Sequence, residues 1–252
     1  MSESLQRAME IVKNSQRLVC LTGAGISTPS GIPDFRSPES GAWEKVDPFE
    51  VASIQAFRRH PQKFYDWLYP TTELMLSAKP NAAHQALVDL EKHGPLTAVV
   101  TQNIDMLHFK AGSKTVYEVH GNVRTASCIS CGDQQDGEPL LKELIKTKIA
   151  PVCSKCGGAI KPDVVLFGEL LPFSILQQAE AAVESCDVIL VVGSSLEVGP
   201  VNQMPILAKR KGAKFIIINL GNTQLDSIAD VVVHADVVDA VPQLAAPFLP
   251  KQ

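Results

Sequence analysis

Five short apolar runs, separated by longer helical patterns, constrain the fold of this chain more than any other feature of its sequence. The runs are rich in β-branched residues and lie at 18–21, 98–101, 188–192, 215–218 and 231–233. Runs of this length and composition are typical of strands that helices cover on both faces of a parallel sheet. Leu5, Met9 and Val12 recur at helical spacing before the first run, and a further helix is expected at 203–211. The alternation predicts an α/β fold with a doubly wound, Rossmann-like parallel sheet.

Small and polar residues follow each of the five predicted strands. In chain order they are Gly23-Ala24-Gly25, Gln102-Asn103-Ile104-Asp105, Gly193-Ser194-Ser195, Asn219-Leu220-Gly221 and His234-Ala235-Asp236. In open α/β sheets, ligands bind in the crevice outside the carboxyl ends of the strands. Five such clusters therefore predict a polar ligand of nucleotide size.

The turn Gly23-Ala24-Gly25 has the spacing of a phosphate-binding turn, in which glycine lets the backbone approach a pyrophosphate. An ordinary strand-to-loop turn fits an isolated G-x-G just as well. Thr28 stands where a G-x-G-x-x-G fingerprint has its third glycine, and no acidic residue follows in a clear second-strand context about 20 residues on. These two features argue against a hydride-transferring dehydrogenase.

Four of the six cysteines form two C-x-x-C pairs with 21 residues between them: Cys128, Cys131, Cys153 and Cys156. Each pair is followed at once by glycine, an arrangement typical of tetrahedral Zn(II) held by four thiolates. Four sulfur ligands leave no position for water, so the predicted zinc site is structural. Two coincidental pairs or a redox motif are the alternatives. Cys20 and Cys186 are expected to be ordinary buried thiols.

The chain of 252 residues has a net charge of −4 and the composition of a globular protein. That charge gives no support to a phosphate-backbone binder, so we expect no direct nucleic-acid partner. The longest apolar runs fall far short of the ~20 residues that span a bilayer. The charged, amphipathic N-terminal segment does not resemble a secretory signal. We therefore expect a cytoplasmic protein without a membrane partner.

Two stretches interrupt the alternation of strands and helices. Residues 30–80 contain helical patterns at 49–57 and 62–68, and residues 122–168 hold the cysteine pairs. We expect the two insertions to build a smaller lobe, with a cofactor loop and a helical insert from the first and a zinc ribbon from the second. The Rossmann-like domain would then consist of 1–29, 81–121 and 169–252.

His120 follows a short predicted strand at 116–119 and precedes Gly121. A histidine at such a position is a candidate general base, although a buried structural histidine gives the same pattern. Asn103 and Asp105 are the polar side chains that emerge from the end of the second strand. Their neighbourhood, more than the histidine alone, favours a catalytic site.

Seven motifs occur here in the order in which they occur in the sirtuins, the NAD-dependent protein lysine deacylases. They are GAGIS-x5-PDFR, TQNID-x-LH, EVHGN, the two C-x-x-C pairs, VVLFGE, GSSL and NLG, and the resemblance runs from about residue 8 to residue 244. The chain most resembles the compact bacterial and archaeal members. The resemblance implies a protein lysine deacetylase that transfers the acetyl group of acetyl-lysine to ADP-ribose, consumes NAD and releases nicotinamide.

The resemblance also implies an NAD site at the ends of the strands. Residues that would contact the phosphates are Gly23, Ala24, Gly25, Ser27, Ser194 and Ser195. Asn219 would hold the adenine ribose, and the backbone at Val237 the adenine. Phe35 and Arg36 would belong to a mobile cofactor loop. Residues around the nicotinamide ribose would be Gln102, Asn103 and His120, with Ile104 and Asp105 on the carboxamide.

In that family pattern His120 is the general base and Asn103 the second catalytic residue. A substrate peptide would add a strand in the cleft formed by Val165, Phe167, Gly168 and Glu169. Nicotinamide would be both a product and an inhibitor. Protein mono-ADP-ribosylation and removal of longer neutral acyl groups are alternatives, and a zinc-knuckle module that binds nucleic acid or chromatin is another.

Three departures from the family pattern bear on specificity. Sirtuins that prefer succinyl- or malonyl-lysine resemble one another in a Tyr-x-x-Arg pair, whereas here Tyr65 is followed by Leu68. An unpaired acyl carboxylate would be costly, so we expect neutral acyl groups, acetyl first. Phe109-Lys110 stands where Gln-Arg is commoner. Glu197-Val198-Gly199 stands where the family often has an aromatic residue, and we expect it to alter peptide preference without loss of activity.

Overall fold

The computed structural model describes residues 2–34 and 46–250. Its strands are β1 (Leu18–Thr22), β2 (Leu96–Thr101), β3 (Val116–Glu118), β4 (Gly121–Cys128), β5 (Gln134–Asp136), β6 (Ile160–Val164), β7 (Val188–Val192), β8 (Lys214–Ile218) and β9 (Val231–Val233). Six of them form a parallel sheet in the order β3-β2-β1-β7-β8-β9. The five predicted apolar strands all lie in this sheet, and the short predicted strand before His120 is its edge strand β3.

Helices cover both faces of this sheet, as the sequence predicts. The helices of the described residues are α1 (Glu3–Lys13), α2 (Pro48–Val51), α3 (Ile54–Arg59), α4 (Pro61–Ser77), α5 (Ala82–His93), α6 (Leu107–Ala111), α7 (Gly137–Thr147), α8 (Phe173–Ser185), α9 (Met204–Arg210) and α10 (Val237–Ala245). Those on the two faces of the sheet are α1, α5 and α10 on one and α8 and α9 on the other. Along β1, Leu18 and Cys20 pack with α1, α5 and α10. Val19 and Leu21 point to the other face and pack with α8 and α9. The doubly wound α/β prediction is therefore confirmed. None of the described helices combines the length and hydrophobicity needed to cross a bilayer.

A smaller lobe joins the two predicted insertions. It contains a three-stranded antiparallel sheet in the order β5-β4-β6. Cys128 ends β4, and Cys131, Cys153 and Cys156 lie in the segments between these strands. Phe57, Tyr65 and Leu68 from helices α3 and α4 share one hydrophobic core with Leu141 and Leu144 from α7. The helical insert and the cysteine-bearing insert therefore stabilise each other.

The helices of the first insertion depart from the predicted boundaries. The single helix predicted at 49–57 is two helices, because the Ser53 hydroxyl accepts a hydrogen bond from Ala56 N–H and begins α3. The helix predicted at 62–68 continues through Pro70 to Ser77. Proline removes one helical hydrogen bond, but the apolar face of α4 remains buried on both sides of it and offsets that loss.

Candidate active site and metal centre

A cavity of about 910 Å³ lies outside the carboxyl ends of β1, β2, β7 and β8, between the main sheet and the smaller lobe. It is large enough for a dinucleotide, since small-molecule sites fall in the range of about 300–1,000 Å³. The sequence-predicted site residues that line it are Gly23, Ala24, Gly25, Ser27, Gln102, Asn103, Ile104, Asp105, His120, Val165, Phe167, Gly168, Glu169, Ser194, Ser195, Asn219 and Val237. Phe35 and Arg36 lie outside the described residues.

The glycine turn after β1 packs against the turn after β7. Gly25 N–H donates to Gly193 O at 2.8 Å. A Cβ on Gly23 or Gly25 would lie 2.8 or 2.9 Å from Gly193 O, and a Cβ on Gly193 would lie 2.3 Å from Ile26 N. The sequence suggests that these glycines admit a ligand phosphate, but their lack of a side chain is already required by the contact between the two turns.

Asn103 and Asp105 are held rigidly at the end of β2. The Asn103 side-chain amide donates to Gly23 O at 3.0 Å and to Ser27 Oγ at 3.1 Å. The Ser27 hydroxyl donates to Asp105 Oδ2 at 2.6 Å, and Leu107 N–H donates to Asp105 Oδ1 at 2.8 Å. Burial raises the pKa of Asp105, while the hydrogen bond from Ser27 opposes that rise. The result is a fixed array of one amide and one carboxyl at the cavity wall.

His120 lies between β3 and β4, where the chain passes from the main sheet to the smaller lobe. Its Nδ1 is 3.1 Å from Gln102 O. Because a carbonyl oxygen only accepts, Nδ1 carries the proton and Nε2 is the basic nitrogen. Gln102 is itself held by a 3.0 Å hydrogen bond from its side-chain amide to Ser194 Oγ. This tautomer suits a general base that acts through Nε2.

The segment 165–169 forms the cleft between the main sheet and the smaller lobe. Val165 N–H donates to His120 O at 2.8 Å, which continues the pairing of β6 with β4. Phe167 pairs in parallel with Ser53 through both of its backbone groups. The Glu169 carboxylate accepts hydrogen bonds from Leu166 N–H at 2.8 Å and Lys161 Nζ at 3.1 Å. Glu169 therefore supports the loop from within.

The cavity extends along helix α4 into an apolar end. Its lining there comprises Phe64, Trp67, Leu68, Thr71 and Met75. No lysine or arginine is among the described residues that line the cavity. Tyr65 points elsewhere, since its buried hydroxyl donates to Ile160 O at 2.6 Å. Leu68 thus occupies the position that the Tyr-x-x-Arg pattern gives to arginine, and none of the described residues that line the cavity supplies a cationic side chain in its place.

The four cysteines converge at the far end of β4. Their Sγ atoms all lie within 4.8 Å of one another, with Cys128 and Cys156 3.5 Å apart and Cys131 and Cys153 3.8 Å apart. Zinc–sulfur bonds of about 2.3 Å in a tetrahedron separate the sulfurs by about 3.8 Å. The donor set and its spacing therefore fit one zinc ion with all four positions filled by thiolates, which is a structural site.

Sequence reasoning missed the polar residues beneath the cavity wall. Thr22 and Thr101, aligned at the ends of β1 and β2, form a hydrogen bond between their hydroxyls at 2.9 Å. His84 and His108 lie behind them in the core. His108 ends the TQNID-x-LH motif, but no local pattern reveals which residues it contacts. The Glu118–Arg124 ion pair, which brackets His120, was also missed.

Comparison with known proteins identifies the family. A model described as the Sir2 family matches residues 23–200. NAD-dependent protein deacetylase 2 of Caldanaerobacter subterraneus subsp. tengcongensis is 47% identical over 229 residues, which are 91% of this chain and 90% of that protein. NAD-dependent protein deacylase 2 of Archaeoglobus fulgidus is 44% identical over 245 residues, which are 97% of this chain and 96% of that protein.

Solved structures agree with the sequence relatives. Sir2 with a p53 peptide and NAD+ has a TM-score of 0.88 at 40% identity and covers 98% of each chain. Sir2Tm bound to a propionylated peptide has a TM-score of 0.86 at 40% identity, and the match covers 96% of this chain and 98% of that one. The motifs and the fold of this chain, together with these relatives, show that it belongs to the Sir2 family, the sirtuins.

Proposed function

We propose that this protein is an NAD-dependent protein lysine deacetylase, which transfers the acetyl group of acetyl-lysine to ADP-ribose and releases nicotinamide. One observation carries the proposal: the strand-end residues, His120 and the 165–169 cleft all line a single cavity. NAD and an acyl-lysine side chain could therefore meet at the histidine. The names of the two relatives, an NAD-dependent protein deacetylase and an NAD-dependent protein deacylase, support the same reaction.

The family resemblance implies a role for each of these residues, and their contacts support those roles. Bound NAD supplies the reactive ribose carbon and the nicotinamide leaving group. Asn103 and Asp105, fixed through Ser27, hold the ribose and the carboxamide so that the bond between the ribose carbon and nicotinamide can break. His120 accepts a proton from a ribose hydroxyl at Nε2, because Nδ1 is already committed to Gln102 O.

The remaining assignments from the family pattern support this scheme. The phosphates would lie against Gly23, Ala24, Gly25, Ser27, Ser194 and Ser195, with the adenosine at Asn219 and Val237. The substrate backbone would add a strand beside 165–169. We also propose that 1–29, 81–121 and 169–252 form the NAD-binding domain, with 30–80 and 122–168 as insertions, which limited proteolysis with and without NAD would test.

Three further properties remain proposals from the sequence. Nicotinamide, as a product that would occupy the pocket beside Asp105, is expected to inhibit turnover. The net charge of −4 gives no support to direct nucleic-acid binding. A cytoplasmic location is a further proposal, and cell fractionation would check it.

Removal of longer neutral acyl groups is a second activity that the cavity favours. Its end beside α4 is lined by aromatic and aliphatic side chains. An acyl chain longer than acetyl would bury apolar surface there, worth about 0.8 kcal/mol per methylene. We therefore expect butyryl-lysine to be a substrate as well.

One experiment tests the activity directly. The purified protein is incubated with NAD and peptides that carry acetyl-, butyryl-, succinyl- or myristoyl-lysine, and mass spectrometry identifies the products. We expect loss of the acetyl group with one nicotinamide per turnover, and a loss of at least about 100-fold in His120→Ala. His93→Ala, at an exposed site, is the matched control. Gain of ADP-ribose on the peptide would favour mono-ADP-ribosylation, and absence of NAD consumption would refute the proposal.

A further inference from the structure

Two buried histidines beneath the cavity take no part in the chemistry proposed above. His84, in the first turn of α5, and His108, in α6, are 0% and 2% exposed. Their ring centroids are 4.9 Å apart at an angle of 58°. Burial lowers the pKa of His84 to about 4 and that of His108 well below its usual value. Both rings are therefore neutral at pH 7 and act through hydrogen bonds alone.

Thr22 fixes the tautomer of His108. The Thr22 hydroxyl donates its single proton to Thr101 Oγ1 at 2.9 Å. The same oxygen lies 2.9 Å from His108 Nε2. Because Thr22 has no second proton to give, Nε2 must be the donor in this contact. His108 Nδ1 is then an unprotonated nitrogen, and it has no hydrogen-bond partner among the described residues.

The hydrogen bonds that begin at His108 end at Asn103. Thr101 Oγ1 accepts the backbone N–H of Asn103 at 3.1 Å. The side-chain amide of Asn103 gives both of its hydrogens to Gly23 O and Ser27 Oγ. With Nδ2 fully used, Oδ1 is the atom of this side chain that remains for a ligand in the cavity.

His84 connects the same cluster to the loop that follows the glycine turn. Asn81 N–H donates to His84 Nδ1 at 3.4 Å, so the proton of this ring is on Nε2. The Asn81 side chain donates to Ile26 O at 2.8 Å and to Ser30 Oγ at 3.0 Å. At the start of α5, Asn81 therefore holds the segment that follows the glycine turn. His84, three residues later, packs against His108.

Each histidine buries one ring nitrogen that has no partner among the described residues, His84 Nε2 and His108 Nδ1. An unpaired buried polar atom destabilises a fold, and an apolar side chain of similar size would avoid that cost. What such a side chain could not supply at position 108 is a donor for the Thr22 hydroxyl. The contribution of His108 therefore lies in its Nε2–H.

We propose that His108 is a positioning residue for Asn103. Its Nε2–H donates to the Thr22 oxygen, so the Thr22 proton cannot go to the imidazole and is donated to Thr101. Thr101 Oγ1 is thereby held where it accepts the Asn103 N–H. Without the donor, the Thr22 hydroxyl rotates more freely and the end of β2 loses a fixed partner. The effect on turnover rests on the proposed function, while the hydrogen-bond chain itself does not.

Variants at position 108 separate this role from simple packing. His108→Gln can offer an amide N–H close to the position of Nε2, whereas His108→Met fills a similar volume without a donor. We expect kcat to fall about tenfold in the Met variant, with KM for the acetyl peptide within twofold, and to recover most of that loss in the Gln variant. His93→Met, at an exposed site, should change neither constant.

Thr22→Val interrupts the chain at its next member and keeps His108 in place. We expect the double variant Thr22→Val/His108→Met to lose no more activity than the worse single variant, because both changes break the same connection. Thr22→Val also serves as the test if His108→Met does not fold. Additive losses in the double variant would overturn the proposal.

A readout without substrate completes the test. In the ligand-free protein, ¹⁵N NMR of the imidazole should show the Nε2–H form of His108. Hydrogen exchange of the Asn103 amide should be about tenfold faster in His108→Met and unchanged in His108→Gln. Equal kcat losses in the two variants, or unchanged Asn103 exchange in folded His108→Met, would overturn the inference. If the parent protein shows these NMR results but removes no acyl group, the proposed function fails and the positioning role stands.

Discussion

Replacing Leu68 with arginine tests why this cavity should prefer neutral acyl groups. Leu68 is 2% exposed and lines the apolar end of the cavity with Trp67 and Met75. The variant puts a guanidinium three residues after Tyr65, which is the spacing found in sirtuins that prefer acidic acyl groups. If the missing cation is what disfavours succinyl-lysine, this one change should shift the preference.

The size of the shift can be worked out from the contacts at this site. A hydrogen bond to a charged group contributes about 1.5–3 kcal/mol, and about 1.4 kcal/mol corresponds to a tenfold change. Tyr65 would add nothing, because its hydroxyl already donates to Ile160 O at 2.6 Å. We therefore expect kcat/KM for succinyl-lysine relative to acetyl-lysine to rise about tenfold, near the lower end of that range.

The assay compares acetyl and succinyl peptides of one sequence at saturating NAD, with products identified by mass spectrometry. Leu68→Gln is the matched control, since it adds polarity at this position without a charge. A buried guanidinium without its anion is destabilising, so circular dichroism must show that Leu68→Arg is folded at the assay temperature. An unchanged ratio in the folded Arg variant, or the same rise in Leu68→Gln, would refute the reasoning.

The other predictions concern stability. Burial lowers the pKa of His84 from 6.5 to about 4. At this histidine the unfolded chain then binds more protons than the folded one, so His84 alone should lower the free energy of unfolding by up to about 3 kcal/mol as the pH drops from 6.5 to 4. Urea denaturation across this range measures the free energy of unfolding at each pH. If this free energy falls as steeply with pH in His84→Leu as in the parent protein, the prediction is wrong. Gly121 has φ +76°, and an added Cβ would lie 2.0 Å from a backbone oxygen. Gly121→Ala should therefore cost at least about 3 kcal/mol, against about 1 kcal/mol for Gly112→Ala, where φ is +107° and nothing lies within 4 Å; equal costs contradict this. Metal analysis should find about one zinc per chain, lost in Cys156→Ser together with the fold of the smaller lobe; a folded, active, metal-free protein contradicts it.

The main sheet could be predicted because its buried strands consist almost entirely of apolar residues, which are visible in the sequence. β1 and β7 are buried along their whole length, so each is a continuous apolar run. The predicted start of β2 at residue 98 lies two residues after its observed start at Leu96, because Thr97 interrupts the apolar run. Leu96 nevertheless pairs with Leu18, and the Thr97 hydroxyl donates to Leu18 O at 3.0 Å. The start of β2 is decided by its pairing with β1, so the sequence of β2 alone does not show where the strand begins.

The candidate site could be predicted only as a set of strand ends. The clusters after β1, β2 and β7 lie together because parallel strands present their carboxyl ends at one edge of a sheet. The direction of each side chain could not be predicted. Tyr65 reaches Ile160, 95 positions away, and Thr22 reaches His108, 86 positions away. Such contacts depend on packing between elements, which leaves no periodic signal in the sequence.

Strand β4 gives the structural metal a direct connection to the proposed base. It begins at Gly121, next to His120, and ends at Cys128, one of the four cysteines of the metal centre. β6 pairs with both ends of it, Ile160 with Cys128 and Val164 with Gly121, and the register shifts between Gly121 and Ala126. Beyond Gly121, Val165 N–H donates to His120 O at 2.8 Å. A zinc ion bound at Cys128 would hold the far end of β4, and through β4 and its pairing with β6 it would stabilise the positions of His120 and of the substrate cleft. Loss of the metal should therefore lower turnover before the main sheet unfolds, although the metal and the reacting atoms are far apart.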